Sequence, residues 1–253
     1  MGIALNEIVA DPAPDLEGLK RSLTRLGKPR RKLTDWKTWE WARLRAAGRD
    51  WPSEAETMIG RVRLDHLHQC VEQVVRQNIP GDLLEAGVWR GGACILMRAV
   101  LKAFGDRRRV VWLADSFEGM PKRSKYPEDL GDTHWKHNDV LSVSLSEVRA
   151  AFLRYGLLDE QVRFLPGWFH ETLPGARVGP LALLRIDGDM YGSTMDALEH
   201  LYPKLSQGGF LIVDDYGAVR GCRRAVDEYR QSQGIVTPIQ AVDWTGVFWQ
   251  KLD

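Results

Sequence analysis

The chain has 253 residues, with 35 Lys and Arg against 34 Asp and Glu, a net charge of +1 and 44% hydrophobic content. That length carries one substantial α/β domain with additions, or two small domains, and the near-neutral balance excludes global steering toward nucleic acid or membrane. Cys70, Cys94 and Cys222 are too scattered for a disulfide framework or a CxxC zinc site, and no apolar run approaches the roughly 18 residues of a membrane span.

In chain order, the N-terminus is weakly patterned and broken by "DPAPD"; it lacks the basic-then-apolar pattern of a secretion signal. A soluble, cytoplasmic protein is therefore expected. Residues 20–51 are rich in Lys and Arg, interrupted by Trp36, Trp39, Trp41 and Trp51. Trp36, Trp39 and Arg43 fall at helical spacing, which predicts a short helix. Residues 57–81 predict an amphipathic helix: Leu64, Leu67, Val71, Val74 and Val75 share one face, and Pro80-Gly81 ends it.

From residue 82 short apolar runs alternate with helical stretches. Strands are predicted at 83–88, 110–115, 162–167, 181–187 and 209–215, with two closing strands near 236–242 and 245–251. Helices are predicted near 92–104, 144–155, 194–202 and 223–231. Continuous apolar strands alternating with helices mark a mostly parallel sheet covered on both faces, whose ligands bind beyond the carboxyl ends of the strands. Residues 116–140 are polar and aperiodic, and a loop that long inside a domain reads as a lid over substrate.

"LLEAGVWRGGA" places Glu85 and Gly87 at a strand end, with Gly91-Gly92 opening a helix. Glycines there admit a ligand close to the backbone, and an acid ending the next strand, Asp115, can hold ribose hydroxyls. Trp89 stands where a dinucleotide fingerprint needs its second glycine, which favours a smaller adenosyl ligand. "LLRIDGDMYG" and "GFLIVDDYG" each end an apolar run with paired acids: Asp187 and Asp189, then Asp214 and Asp215. Two unit charges about 4 Å apart repel by roughly 4 kcal/mol at an effective dielectric of 20. Four such groups at neighbouring strand ends call for protons or a hard divalent cation, Mg²⁺ first, with Mn²⁺ or Ca²⁺ as alternatives. Asp187 and Asp189 project to one side of an extended segment, so one can bind metal while the other faces substrate. Capping of helices and turns is the competing role for any one of these acids.

The stretches "LEAGVWRGGACILMRAVL", "ADSFEGMP", "VRFLPGWFHETLP", "RIDGDMYGSTMDALEHLYPKLSQGGFLIVDDYG" and "CRRAVDEYR" resemble the macrocin O-methyltransferase (TylF-type) family over about residues 50 to 250. The resemblance implies an α/β class I methyltransferase fold: a Rossmann-like, doubly wound sheet with a C-terminal antiparallel hairpin and an N-terminal helical extension. The extension would span 1–80 and the methyltransferase domain 81–253, with a lid at about 116–142. It implies S-adenosylmethionine and Mg²⁺ as cofactors, and O-methylation of a sugar hydroxyl on a glycosylated natural product. Carried over by motif, Asp187, Asp214 and Asp215 would be metal ligands and Asp189 the general base. Met58, Ile59, Gly60, Glu85, Gly87, Asp115, Ser116 and Asp187 would line the adenosylmethionine site, with Gly167 and Trp168 near the adenine. A homo-oligomer formed partly by the N-terminal region is also implied, with no nucleic-acid or membrane partner.

Two other readings stand beside it. The basic, Trp-bearing stretch 20–51 would suit a nucleic-acid methyltransferase arm, phosphates meeting Lys and Arg and bases stacking on Trp. A nicotinamide-dependent sugar oxidoreductase is the other; the absent GxGxxG and the four acids oppose it. Among the histidines, His66 and His68 face different ways on a helix and cannot chelate together. His134 and His137 sit in the lid, where solvated loop residues are the expectation, and His170 ranks below Asp189 as a base.

Overall fold

The computed structural model describes residues 35–252. Expectations placed on residues 1–34 lie outside them. Two helices, α1 (Asp35–Ala46) and α2 (Arg61–Arg76), precede β1 (Asp82–Ala86), α3 (Gly92–Ala103) and β2 (Val111–Asp115). After the lid come α4 (Leu145–Arg154), β3 (Val162–Pro166), β4 (Leu181–Ile186) and α5 (Tyr191–Leu201). β5 (Leu205–Val213), α6 (Arg220–Gln233), β6 (Gln240–Ala241) and β7 (Val247–Gln250) complete the chain.

The strands form one sheet in the order β3-β2-β1-β4-β5-β7-β6. β1 to β5 run parallel, and β7 is antiparallel to both β5 and β6. Side chains alternate across it with period two. Leu83, Leu183, Phe210 and Ile212 join the core beneath α2, α3 and α4, whereas Leu84, Leu184, Leu211 and Val213 join the core beneath α5 and α6. The apolar stripe of α2 is used as its spacing foretells: Leu64, Leu67, Val71 and Val74 are buried. Strand order reverses between β1 and β4, and that switch point is where doubly wound sheets open a ligand crevice.

The closing strands are shorter than expected, reduced to 240–241 and 247–250. Pro238 offers no N–H to a ladder, and the Val242 and Asp243 N–H groups turn instead onto the Gly246 carbonyl. The lid is not structureless. It holds single helical turns at Pro127–Asp129, His134–His137 and Asn138–Leu141. It also docks on α5: the Asp129 carboxylate accepts from the Tyr191 and Gly192 N–H groups at 2.9 and 3.0 Å, and the Tyr126 hydroxyl donates to Asp196 at 2.9 Å. The N-cap residue of α5, Met190, supplies no side-chain acceptor. A lid residue therefore satisfies amides that the helix leaves open.

Candidate active site

The ladder continues one residue past each strand: Gly87 N–H donates to Ala114 O, Asp187 N–H to Ala86 O, and Asp214 N–H to Ile186 O. Three strand ends are thereby level, and period-two alternation turns Glu85, Arg185, Asp187 and Asp214 toward the α2–α3 face. Gly87 has φ +89°. A Cβ there would fall inside van der Waals contact of the Asp187 carbonyl oxygen, so only glycine permits the approach of the two chain segments. Gly87→Ala is expected to destabilise the fold by at least about 1–3 kcal/mol, the cost of one strained backbone site, read as a drop in Tm.

Strained turns cluster here. Trp89, Phe117 and Asp189 have φ of +47°, +58° and +54°. Asp tolerates that region; bulky residues do so only when their surroundings hold them. Asp115 holds both bulky turns, its carboxylate oxygens accepting from the Val88 and Phe117 N–H groups at 2.7 Å each. The Trp89 indole N–H donates to Val140 O at 2.9 Å and ties the first turn to the lid.

Two adjoining cavities meet at Asp187. One, of about 300 Å³, is lined by Gly87, Asp115, Ser116, Trp168, Phe169 and Asp187 among others. The second, of about 520 Å³, contains Met58, Ile59, Glu85, Asp187, Asp189, Asp214 and Asp215. Both are of a size that ligands fill. Gly60 and Gly167 face neither cavity. Gly60 lies against the backbone of residues 46–48, where a Cβ would not fit, and Gly167 is held at φ +126° beside Thr172 with its N–H on Asp115 O. His170 lines the smaller cavity, away from Asp189. His134, expected as a solvated loop residue, lines the larger one, and His137 packs edge-on against Trp51 with ring centroids 5.0 Å apart.

One donor oxygen each from Asp187, Asp214 and Asp215 lie within 4.8 Å of one another. The Asp189 N–H donates to Asp215 at 3.2 Å. Sequence reasoning missed two further participants, Arg185 and Arg63. Arg185, 2% exposed, ion-pairs with Glu85, Asp187 and Asp214; Arg63, from α2, pairs with Asp214 and Asp243. Their signals were available: one charge inside the apolar strand "LALLRI", and one four residues before Leu67 on the apolar face of α2. The acids are thus not left to a cation alone. Glu85 in particular gives its carboxylate to Arg185 and accepts from the Cys94 thiol at 2.8 Å.

Even so, six carboxylates against three guanidinia line the larger cavity. Burial pushes Asp189 up to about 7, with the Asp187 charge adding to it and His134 opposing it. Asp215 is driven well above the usual range by burial and then by the Asp189 and Asp187 charges, and Asp187 upward by burial and then by Asp214. The residual negative charge and the all-oxygen donor set fit a hard divalent cation.

The family model for macrocin O-methyltransferase (TylF) matches residues 5–251. The chain belongs to that family. It is 59% identical over 208 residues, covering 81% of this chain and 79% of its relative, to the 8-demethyl-8-(2,3-dimethoxy-α-L-rhamnosyl)-tetracenomycin-C 4'-O-methyltransferase of Streptomyces olivaceus. It is 54% identical to the demethyldecarbamoylnovobiocin O-methyltransferase of Streptomyces niveus, over 82% of this chain and 80% of the relative. The mycinamicin III 3''-O-methyltransferase of Micromonospora griseorubida matches at 52% identity, over 82% and 83%. The solved O-methyltransferase NovP superposes with a TM-score of 0.82 at 54% identity, covering 83% of this chain and 88% of that one. Calicheamicin methyltransferase CalS11, at 18% identity and a TM-score of 0.62 over 100% of this chain and 98% of its own, shares the fold. This macrocin-family chain is an O-methyltransferase of the α/β class I type. Among its described residues no helix is long and apolar enough to cross a membrane.

Proposed function

We propose that the chain methylates a sugar hydroxyl of a glycosylated natural product in antibiotic biosynthesis, using S-adenosylmethionine and a divalent cation held by Asp187, Asp214 and Asp215. The observation that carries this is the convergence of those three carboxylates beside Asp189 at the carboxyl ends of β4 and β5. The named substrates of the relatives, glycosylated tetracenomycin, novobiocin and mycinamicin compounds, support the acceptor class.

The smaller cavity would take the adenosyl group, with Asp115 and Ser116 for the ribose and Trp168 for the base; Met58 and Ile59 would border the methionine part. S-adenosylmethionine supplies the electrophilic methyl group when bound. Mg²⁺, or Mn²⁺ or Ca²⁺ on the same donors, would supply positive charge that makes an ionising hydroxyl less costly. Asp189 would accept the hydroxyl proton: burial and the Asp187 charge raise it to about 7 in the metal-free chain, and a cation on Asp187 would lower it again and keep it ionised to receive that proton. Arg185 fixes the orientation of Asp187 and Asp214 from behind. The lid, pinned to α5 through Asp129 and Tyr126, would exclude water, which strengthens every charge interaction beneath it. The homo-oligomer that the family resemblance implies, and a cytoplasmic location, belong to the same proposal.

The test is methyl transfer to deoxysugar-bearing acceptors, starting with the dimethoxyrhamnosyl tetracenomycin of the first relative, with and without EDTA. Transfer abolished by chelation and restored by Mg²⁺ is expected; undiminished transfer after chelation rejects the cation. A second measurement needs no acceptor. Asp189 titrates near 3.8 when unfolded and at about 7 when folded, and Asp215 shifts in the same direction, so over that window the folded, metal-free chain holds protons that the unfolded chain has released. Their contribution to stability is present at low pH and lost as pH rises through about 7. Mg²⁺ takes the place of those protons, so it is expected to raise Tm more at pH 8 than at pH 6. Equal increments would show that protons and cation do not compete.

A further inference from the structure

A base that takes one proton per turnover must return it to solvent before the next. Asp189 lines a cavity beneath the lid together with five other carboxylates and with Arg49, Arg63 and Arg185, whose guanidinia have no lone pair to take a proton. One imidazole lines that cavity, His134. Its Nδ1 meets both oxygens of Asp132, at 2.8 and 2.9 Å, and the His134 N–H donates to the same carboxylate at 2.8 Å. A carboxylate at Nδ1 fixes the ring with its proton on that nitrogen, which leaves the Nε2 lone pair to receive another. Nε2 carries no hydrogen bond among the described residues. His134 is also 36% exposed at its side chain, so one face of it reaches water.

We propose that His134, held by Asp132, is the proton relay that empties Asp189 to solvent. The proposal rests on the reading of Asp189 as base. In each turnover the acceptor O–H bond breaks and an O–CH₃ bond forms from the oxygen's electron pair, while the C–S bond breaks with its pair going to sulfur. The proton passes to Asp189, then through a water in the cavity to Nε2 of His134, giving an imidazolium paired with Asp132, and from there to solvent. The charged groups around His134 are Asp132 on its own segment, and Asp50, Glu85, Asp187, Asp189, Asp214, Asp215, Arg49, Arg63 and Arg185 lining the same cavity. The relay rides on the lid, so docking of the lid on α5 would assemble the proton path in the same movement that encloses the reactants.

The experiment compares His134→Ala and Asp132→Asn with the wild-type protein at saturating Mg²⁺, with the glycosylated tetracenomycin as acceptor probe. His134→Ala is expected to lower kcat by about 100-fold, the low end for a positioned acid–base group, with acceptor KM within threefold and Tm unchanged. Added imidazole at pH 8 is expected to restore part of the rate to His134→Ala and none to Asp132→Asn, which keeps its ring. A His134→Ala rate equal to wild type, a loss confined to KM, or a kcat loss that imidazole leaves untouched each overturns the relay. Wild-type protein that transfers no methyl group to any acceptor overturns the parent reading instead, and the two failures are distinguishable.

Discussion

Asp189→Asn is expected to lower kcat by about two to four orders of magnitude, the range that one positioned acid–base group contributes. The substitution is well isolated. Asn tolerates the left-handed backbone at φ +54° as Asp does, so the turn between Asp187 and α5 keeps its shape. Its N–H still donates to Asp215. What disappears is an acceptor for the hydroxyl proton, together with one charge of the crowded cluster. Removing that charge eases the repulsion on Asp215 and Asp187, both of which Asp189 faces. The variant is therefore expected to melt no lower than wild type and to keep its Mg²⁺-dependent rise in Tm. Single-turnover rates, adenosylhomocysteine binding by calorimetry and thermal melts with Mg²⁺ together decide it. A rate within threefold of wild type would assign the proton to another group and remove Asp189 from the mechanism.

The second large effect concerns stability. Arg185→Met is expected to cost about 3–5 kcal/mol, the usual result of removing one partner from a buried ion pair. Met fills similar apolar volume, so packing loss is small. The damage is electrostatic: Glu85 and Asp214 lose a guanidinium that reaches both, and Asp187 loses a partner at 2.9 Å. Glu85 and Arg185 stand opposite one another in the β1–β4 register, so no backbone shift brings a substitute. Two controls follow. Adding Glu85→Gln to Arg185→Met is expected to recover part of the loss, a coupling measurable by urea unfolding of the four proteins of the cycle. Mg²⁺ is expected to stabilise Arg185→Met more than wild type, since the cation and the guanidinium neutralise the same carboxylates. If Arg185→Met unfolds at the wild-type urea concentration, the buried network contributes nothing to the fold.

Much of this molecule is written locally in its residues. Period-two and continuous apolar runs announce β1 to β5, because a strand buried on both faces has to be apolar along its length. The doubly wound rule makes β4 and β5 neighbours, so the acids ending "LLRID" and "LIVDD" converge from pattern alone. Helix α4 is legible to the residue: Ser144 and Glu147 form a capping box, each side chain answering the other's backbone N–H. These features depend on separations of a few residues, which is the range over which sequence pattern carries structural information.

Only the tertiary structure decided how the acids are held. Arg63 and Asp214 are 151 residues apart, and Arg185 and Glu85 are 100 apart; no periodicity links such positions, and each arginine taken alone reads as a misplaced charge. The same holds for Gly60, whose missing Cβ lets it lie against the backbone of residues 46–48. It holds for the lid as well. Its aperiodic residues show no preference of their own, and they acquire shape from α5, whose open amides Asp129 fills, and from the cavity that His134 comes to face. Local pattern sets which residues carry charge and where strands end; which charges meet is a property of distant segments brought together when the apolar faces are buried.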